Sequence, residues 1–466
     1  MHNTSRQLVQ TGEIAFIMAN NRTALETKQA TDQFSSAGFI LAAIGSSVGL
    51  GNMWMFPYIT GQNGGGAFVL LFFLCLLIVG MPVLLAELAI GRGGRGDAAS
   101  SFRNLTTRRI WHKSGIFLVI GAFLLFTFYS VVAGWTLQYT LQSFVGDLYS
   151  NPNYTETFAQ YTSGWMPIFW QIMIFIITGW IVAKGISGGI EKFNKIVLPA
   201  LLIILVVLMV RALFLPGAGE GVSFFLKPDF SELTVDSLLQ ALGQAFFSLS
   251  LGVGGMMTYG AYVEKNQSLS QATVAITGGS VVYALIAGLI IFPTTFSFGI
   301  APSSGPGLVF IALPAAFSSM PFGHMFGAFF FILLAIAALT SAISMVEVPV
   351  AYCMNRWQWS RKKAATLVLI VCYVFALPCV LSAGGVLSSY TLGGKNVFDW
   401  MNYITSNIML PLGGLMITIF VGYVWTRSVE EAGLSSGWFK AWIFTLRYIA
   451  PLLIILILLS SIGLLK

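Results

Sequence analysis

The sequence has few charged residues and few of the side chains that carry catalytic chemistry. Only 9% of its 466 residues are Asp, Glu, Lys or Arg, whereas soluble domains contain about 25%. It has three histidines, and nucleophiles, metal ligands and acid/base residues form no recognisable cluster. Its four cysteines indicate neither a CxxC metal motif nor a disulfide framework; they are Cys75, Cys353, Cys372 and Cys379. We therefore expect neither a soluble domain nor an enzyme.

Long hydrophobic segments make up most of the chain. Hydrophobic residues account for 56% of it, and a helix that crosses a bilayer needs about 20 mostly apolar residues. A membrane β-barrel would show short alternating strands instead, and no such alternation is present. The sequence predicts an all-α, multi-pass membrane protein with eleven transmembrane helices, at residues 38–60, 67–91, 115–145, 166–185, 190–214, 237–262, 270–299, 321–354, 364–383, 397–426 and 439–464.

The formal net charge of +7 reflects membrane topology rather than nucleic-acid binding. Lys and Arg concentrate in the segments 92–113, 184–195 and 356–363, whereas the loops 146–165 and 300–320 have neither. Cytoplasmic loops carry the basic excess, so we expect residues 1–37 to form a cytoplasmic tail. The tail has no signal-peptide pattern, and Met18 is an alternative start. The short loops are typical of a bacterial cytoplasmic membrane.

The first hydrophobic segment is interrupted at its centre. Residues 41–58 read LAAIGSSVGLGNMWMFPY, with serines, glycines and an asparagine inside apolar flanks. Irregular backbone at this depth is tolerated only where it lines a cavity or protein. Its free carbonyls can bind a cation, and the following half-helix favours a carboxylate. The alternative is close helix packing through small residues.

The sixth hydrophobic segment contains a second interruption. Residues 243–260 read GQAFFSLSLGVGGMMTYG. Breaks at corresponding positions of two five-helix halves are typical of transporters built from inverted repeats. We therefore expect the repeats at 38–214 and 237–426, followed by the eleventh helix at 439–464.

The motifs on these segments resemble the neurotransmitter:sodium symporter family over residues 34–430. They are GSSVGLGNMWMFPY, NGGGAFVLLFFLCLLIVGMPVLLAELAIGR, GQAFFSLSLGVGG, GLIIFP, LTSAISMVEVPVAY and TSNIMLPLGG. The resemblance implies a LeuT-type fold with helices 1 and 6 broken. It also implies sodium-driven uptake of amino acids or related amines by alternating access. The chain has eleven helices where many relatives have twelve, so its C-terminus is expected outside.

The resemblance implies two candidate sodium sites. At the second site the ion would take carbonyls of Gly45, Val48 and Ala337 and hydroxyls of Thr340 and Ser341; hard cations prefer such oxygens. The alternative for this Thr-Ser pair is hydrogen bonding within its own helix. The first site would use Ser47, Asn52, Ser248 and Ser280.

Two departures from the family pattern weaken the first site and chloride binding. Ser280 stands where the family usually has Asn or Asp. Phe72 and Ala284 stand where chloride-dependent relatives have Tyr and Ser. We therefore expect one Na⁺ per substrate and no chloride.

The resemblance also implies a substrate site at the two breaks. The substrate carboxylate would meet backbone N–H groups of Leu50 and Gly51 and the Tyr129 hydroxyl. Gly49 replaces the aspartate of monoamine-carrying relatives, which favours an amino acid. None of the expected contacts is charged, so we expect a neutral, mainly apolar L-amino acid. The contacts are Ser47, Leu50, Gly51, Leu125, Tyr129, Phe247, Ser248, Ser250, Val253, Ser341 and Met345.

The family's gates are altered in this chain. Met55 and Asn402 occupy the positions of an outer Arg–acid pair, so closure would depend on Tyr129 over Phe247. On the inner side Asn355 replaces an Asp, Gln33 or Phe34 replaces a Trp, and Tyr259 is kept.

Three further features of the membrane helices are candidates for a role in transport. Gly189 and Pro199 have the GX₉P spacing with which relatives unwind helix 5, although a simple proline kink is the alternative. Glu87 and Glu347 are intramembrane carboxylates, and such residues are functional candidates. We expect both to form structural hydrogen bonds, with proton coupling as the alternative.

A channel and an amino-acid sensor are the alternatives to a transporter. A channel would need the repeated filter sequence of an oligomer, and none is present. An amino-acid sensor that binds without transport would have the same site. We expect an amino-acid substrate, a lipid bilayer around the protein, and a monomer or weak homodimer.

Overall fold

A computed structural model describes residues 33–300 and 308–464 of the chain. Residues 1–32, including Met18, lie outside the described part. Within that part all regular secondary structure is helical, and nine continuous helices are long and apolar enough to cross a membrane. They are spans 2 to 5 and 7 to 11, at Gly66–Gly94, Arg109–Val145, Met166–Ala183, Ile186–Leu213, Leu269–Ser297, Gly323–Trp357, Arg361–Ser382, Val397–Val424 and Ser436–Ser461.

Spans 1 and 6 are the broken helices. Span 1 consists of half-helix 1a, Ser36–Ser47, and half-helix 1b, Gly51–Gln62, whose axes meet at 46°. Span 6 consists of half-helix 6a, Val235–Ser248, and half-helix 6b, Gly255–Ala261. The prediction of eleven helices with breaks in the first and the sixth is therefore confirmed.

The break in span 1 leaves backbone carbonyls for side chains to bind. The last backbone bond of half-helix 1a runs from Val48 N to Ile44 O at 2.7 Å. The carbonyl of Ser46 accepts the hydroxyls of Ser250 at 2.8 Å and Ser341 at 3.2 Å. Side chains of spans 6 and 8 thus satisfy a carbonyl that the helix has released, as a water-free interior requires.

The break in span 6 depends on residues with positive φ. Ser250, Gly252 and Gly254 have φ of 53°, 82° and 74°, and Gly tolerates this region because it has no Cβ. Gly252 has a second reason to be glycine, because a Cβ there would collide with the carbonyl of Leu410. The broken segment therefore packs directly against the backbone of span 10.

Spans 3 and 8 lie at the centre of the bundle. The most apolar windows of these spans are 72% and 83% buried, compared with 22% for span 11. Both broken helices pack near them, and side chains of span 8 reach the break in span 1. The centre of the molecule is therefore where the two breaks meet.

The described helices refine several predicted boundaries and loops. The Ser35 side chain caps a helix that begins at Ser36, close to the predicted start of the first span, and helix ends commonly vary by one or two residues. Segments expected as loops contain the short helices Ala98–Leu105, Tyr154–Thr162 and Leu308–Ser318. These helices are too short or too polar to span a membrane, so hydrophobic length alone did not predict them. The division into two inverted repeats stays a prediction.

Candidate functional site

The two breaks enclose a central cavity of about 20 Å³. All eleven residues predicted to contact the substrate line it, together with Ser46, Gly49, Asn52 and Leu410. A volume of this size holds about one water molecule. Side chains must therefore move apart before the cavity can admit an amino acid.

Two glycines of span 1 allow this close approach. A Cβ on Gly51 would collide with the ring of Phe247. A Cβ on Gly49 would collide with the Ser341 hydroxyl and lie 3.5 Å from the hydroxyl of Tyr129. The start of half-helix 1b, where backbone N–H groups favour an anion, is thus open to the cavity because residues 49 and 51 have no side chains.

The cavity combines polar backbone with an apolar wall. None of its lining residues is charged, and Leu125, Val253 and Met345 form its apolar part. A charged substrate side chain would find no partner there, and burying an unpaired charge is unfavourable. Once its side chains have moved apart, such a site suits the backbone groups of an amino acid beside an apolar side chain.

Three residues expected at the second sodium site lie close together; they are Gly45, Ala337 and Thr340. Thr340 donates its hydroxyl hydrogen bond to Ala337 O at 3.0 Å. A Cβ on Gly45 would lie 3.4 Å from that of Thr340, and Val48 forms the end of half-helix 1a. The residues supply carbonyl and hydroxyl oxygens, the ligands of a hard cation. The bond from Thr340 to Ala337 lies within span 8, so it also fits the alternative that Thr340 only forms a hydrogen bond inside its own helix.

The first candidate sodium site contains buried oxygens without partners. Asn52 donates its amide N–H to Ser47 O at 3.1 Å. The amide oxygen of Asn52 and the hydroxyls of Ser248 and Ser280 have no hydrogen-bond partner among the residues that the structure describes. Buried polar atoms are normally paired, so these free oxygens suit a cation. The described residues place no cluster of carboxylates there that would balance its charge.

The two residues from which we expect no chloride binding are apolar and buried. Phe72 and Ala284 are both 0% exposed. The Phe72 ring packs against Phe56, with ring centroids 4.8 Å apart. Neither residue offers a hydrogen bond to an anion.

An outer cavity of about 400 Å³ lies beyond the central one. Met55 and Asn402, the predicted outer-gate residues, both line it. Phe247 lines this cavity and the central cavity, so its ring stands between them. Tyr129, in contrast, lines the central cavity and not the outer one.

On the inner side, Phe34 is one of the two residues expected in place of the family's Trp. It is buried and packs edge-on against Tyr259, with ring centroids 5.3 Å apart. Asn355 donates to the carboxylate of Asp97 at 3.0 Å, and Gln33 and Asn355 line an inner cavity of about 160 Å³.

No motif in the sequence indicates the ionic network beside this inner cavity. Arg361 donates to both carboxylate oxygens of Glu347, at 2.8 and 2.9 Å. The Tyr262 hydroxyl donates to the same carboxylate at 3.1 Å. The sequence marked Glu347 as an intramembrane acid, but the partners lie on other helices and no local spacing indicates them.

Span 5 begins with the segment that contains Gly189. Ile186–Glu191 is a π-helical turn, and Pro199 lies inside the α-helix that follows. A Cβ on Gly189 would collide with Ile181 O of span 4. Glu191 accepts the backbone N–H of Ser35 at 3.0 Å and so connects span 5 to the start of half-helix 1a. Unwinding between Gly189 and Pro199 stays a prediction.

Two broken membrane helices that face each other at a central cavity, between an outer and an inner path, define a secondary transporter. The family model described as the sodium:neurotransmitter symporter family matches residues 32–162 and 160–466. The chain belongs to this family and is a sodium-dependent symporter with a LeuT-type fold, as the motifs predicted.

Relatives and a solved structure match almost the whole chain. An uncharacterised sodium-dependent transporter of Bacillus subtilis, YhdH, is 39% identical and covers 93% of this chain and 98% of its own. A counterpart in Haemophilus influenzae is 35% identical, with 93% and 98% covered. The crystal structure of MhsT in complex with L-phenylalanine is 44% identical, covers 92% of this chain and 99% of its own, and has a TM-score of 0.86.

Proposed function

We propose that this symporter takes up a neutral, mainly apolar L-amino acid together with Na⁺ by alternating access. The observation that carries the proposal is the uncharged central cavity at the start of half-helix 1b. The backbone there suits a carboxylate, and the apolar wall suits an apolar side chain. The solved relative MhsT has L-phenylalanine bound, which supports the same substrate class here.

The ion stoichiometry in this proposal is one Na⁺, at the second site, without chloride. Support comes from the carbonyl and hydroxyl oxygens of spans 1 and 8 and from the apolar Phe72 and Ala284. A second candidate is coupling to two Na⁺, and the unpartnered oxygens of Asn52, Ser248 and Ser280 favour it. In that case the substrate carboxylate would have to balance the additional charge.

The gating in this proposal follows from the three cavities. Movement of Phe247 would connect the central cavity to the outer one, with Tyr129 closing over the substrate. Separation of Phe34 from Tyr259 would open the inner path past Asn355. Unwinding at Gly189 and Pro199 would let water reach the ion from inside.

The proposal also includes the cellular setting. The distribution of Lys and Arg supports an N-terminus inside, and an odd number of spans then puts the C-terminus outside. The short loops and the bacterial relatives support a bacterial cytoplasmic membrane. We propose a monomer or weak homodimer that transports without catalysing a reaction. A sensor that binds an amino acid without transport, and a proton-coupled transporter, are the alternatives.

A binding panel tests the substrate class. Purified protein is titrated with radiolabelled amino acids in NaCl, sodium gluconate and KCl. The proposal predicts saturable binding of neutral apolar amino acids in both sodium salts and none in KCl. Preference for a charged amino acid, or loss of binding in gluconate, would contradict it.

A further inference from the structure

Asn194 of span 5 has a buried amide oxygen for which the described residues provide no hydrogen-bond partner. The residue is 1% exposed. Its amide nitrogen donates to Ile190 O at 2.8 Å, which fixes the orientation of the amide group. An unpaired polar atom in the interior destabilises the fold, so a function for this oxygen is indicated.

The oxygen of Asn194 faces the second sodium site. A Cβ on Gly45 would collide with this oxygen and would lie 3.4 Å from Cβ of Thr340. The oxygen therefore lies against half-helix 1a beside span 8. Gly45 and Thr340 are two of the five residues expected to bind the ion.

The oxygens from spans 1 and 8 leave room for another ligand. Those five residues offer five oxygens, whereas hard cations such as Ca²⁺ and Mg²⁺ commonly take six or more. None of the five is a carboxylate, so each further oxygen dipole helps to replace the water that the ion loses. We infer that the amide oxygen of Asn194 is an additional ligand of the co-transported Na⁺. The inference rests on the proposed sodium site.

The position of Asn194 along span 5 links this ligand to the release of the ion. Asn194 lies five residues after Gly189 and five before Pro199. Pro199 has no N–H to bind the carbonyl one turn earlier, so this part of the helix is weakened. Unwinding here withdraws the oxygen from Gly45, and the site loses a ligand as the inner path opens.

A matched pair of substitutions tests the assignment. Asn194→Leu removes the oxygen and keeps the number and branching of the non-hydrogen atoms in the side chain. Gln171→Leu is the control, because Gln171 of span 4 is also buried and its amide oxygen has no partner among the described residues. Its amide nitrogen donates to Ser130 of span 3 at 3.0 Å and to Ala376 O of span 9 at 3.4 Å. Both proteins are purified, and ²²Na⁺ binding and the Na⁺ dependence of the unfolding temperature are measured without amino acid.

We expect Asn194→Leu to raise the half-saturating Na⁺ concentration about tenfold, because an interaction with an ion is lost. Gln171→Leu is expected to stay within about twofold of the unchanged protein, because a site with no shared partners acts independently of the ion. Asn194→Asp, which keeps an oxygen and adds charge, is expected to bind Na⁺ at least as tightly as the unchanged protein. Asn194→Leu with unchanged Na⁺ affinity would overturn the assignment.

If Asn194→Leu does not fold, Na⁺ binding by Asn194→Asp tests the assignment by itself. Weaker Na⁺ binding by Asn194→Asp than by the unchanged protein would overturn the assignment. Equal losses in Asn194→Leu and Gln171→Leu would overturn it as well, because they would reflect general destabilisation. Absence of Na⁺ binding by the unchanged protein would instead refute the proposed sodium site, and the ligand with it.

Discussion

Glu87 accepts a hydrogen bond of 2.6 Å from the backbone N–H of Gly252. Glu87 belongs to span 2, which is a continuous helix. Its buried carboxylate therefore fixes the broken segment of span 6 through a backbone N–H group. Gly252 has positive φ and its carbonyl lies against Gly413 of span 10. The break is therefore held on one side by an acid and on the other by close backbone packing.

Replacement of Glu87 tests whether this contact stabilises the break. Glu87→Leu leaves a buried N–H unpaired and is expected to lower the free energy of unfolding by roughly 1–3 kcal/mol. Glu87→Gln keeps an acceptor oxygen and is expected to cause a smaller loss. Thermal unfolding of the purified proteins measures both. Equal losses would show that the acceptor is unimportant, and an altered pH dependence of uptake in Glu87→Gln would favour proton coupling instead.

A single added methyl group in the central cavity is expected to lower the affinity for substrate. Gly51→Ala places a Cβ against the Phe247 ring, and such overpacking costs about 1–3 kcal/mol, or roughly tenfold in affinity. Gly243→Ala, in half-helix 6a, is the control because no other part of the described chain lies within 4 Å of its added Cβ. Equilibrium binding of the radiolabelled amino acid compares the two. Unchanged affinity in Gly51→Ala would mean that the substrate binds elsewhere.

The two sodium sites can be separated by deleting one oxygen at a time. Thr340→Val is expected to raise the half-saturating Na⁺ concentration roughly tenfold, whereas Ser280→Ala leaves it nearly unchanged. The Na⁺ dependence of substrate binding should have a Hill coefficient near one. A coefficient near two, together with a large effect of Ser280→Ala, would support the two-ion candidate.

The ionic network beside the inner cavity is expected to contribute to stability. The carboxylate of Glu347 is fully buried and the Arg361 side chain is 12% exposed. Removing one partner of such a pair commonly destabilises by about 3–5 kcal/mol, so Arg361→Gln should lower the unfolding temperature clearly. Arg356→Gln is the control, because Arg356 is exposed and surface charges contribute little. Similar unfolding temperatures for the two variants would contradict this role.

Local composition was sufficient to predict the two breaks, whereas the lining of the central cavity was predicted only through the resemblance to the family. Ser and Gly inside an apolar segment have few structural explanations in a bilayer, so GSSVGLGN and SLSLGVGG identified both breaks. The family motifs then located Tyr129, Ser341 and Met345, and all of the predicted substrate residues line one cavity.

Contacts between distant helices could not be predicted in this way. Asn194 has an ordinary position in an apolar helix, and only the approach of Gly45 and Thr340 shows where its oxygen points. The pairing of Glu87 with Gly252 likewise joins residues 165 positions apart. Single-sequence periodicity reports which residues are apolar, not which buried polar group meets which partner.

The most direct test of the account is accumulation of amino acid in proteoliposomes. The purified protein is reconstituted, and uptake of a radiolabelled neutral amino acid is followed under an inward Na⁺ gradient and under an equal K⁺ gradient. The account predicts accumulation above the external concentration with Na⁺ and none with K⁺. Binding that requires Na⁺ but leads to no accumulation would contradict transport and favour a sensor.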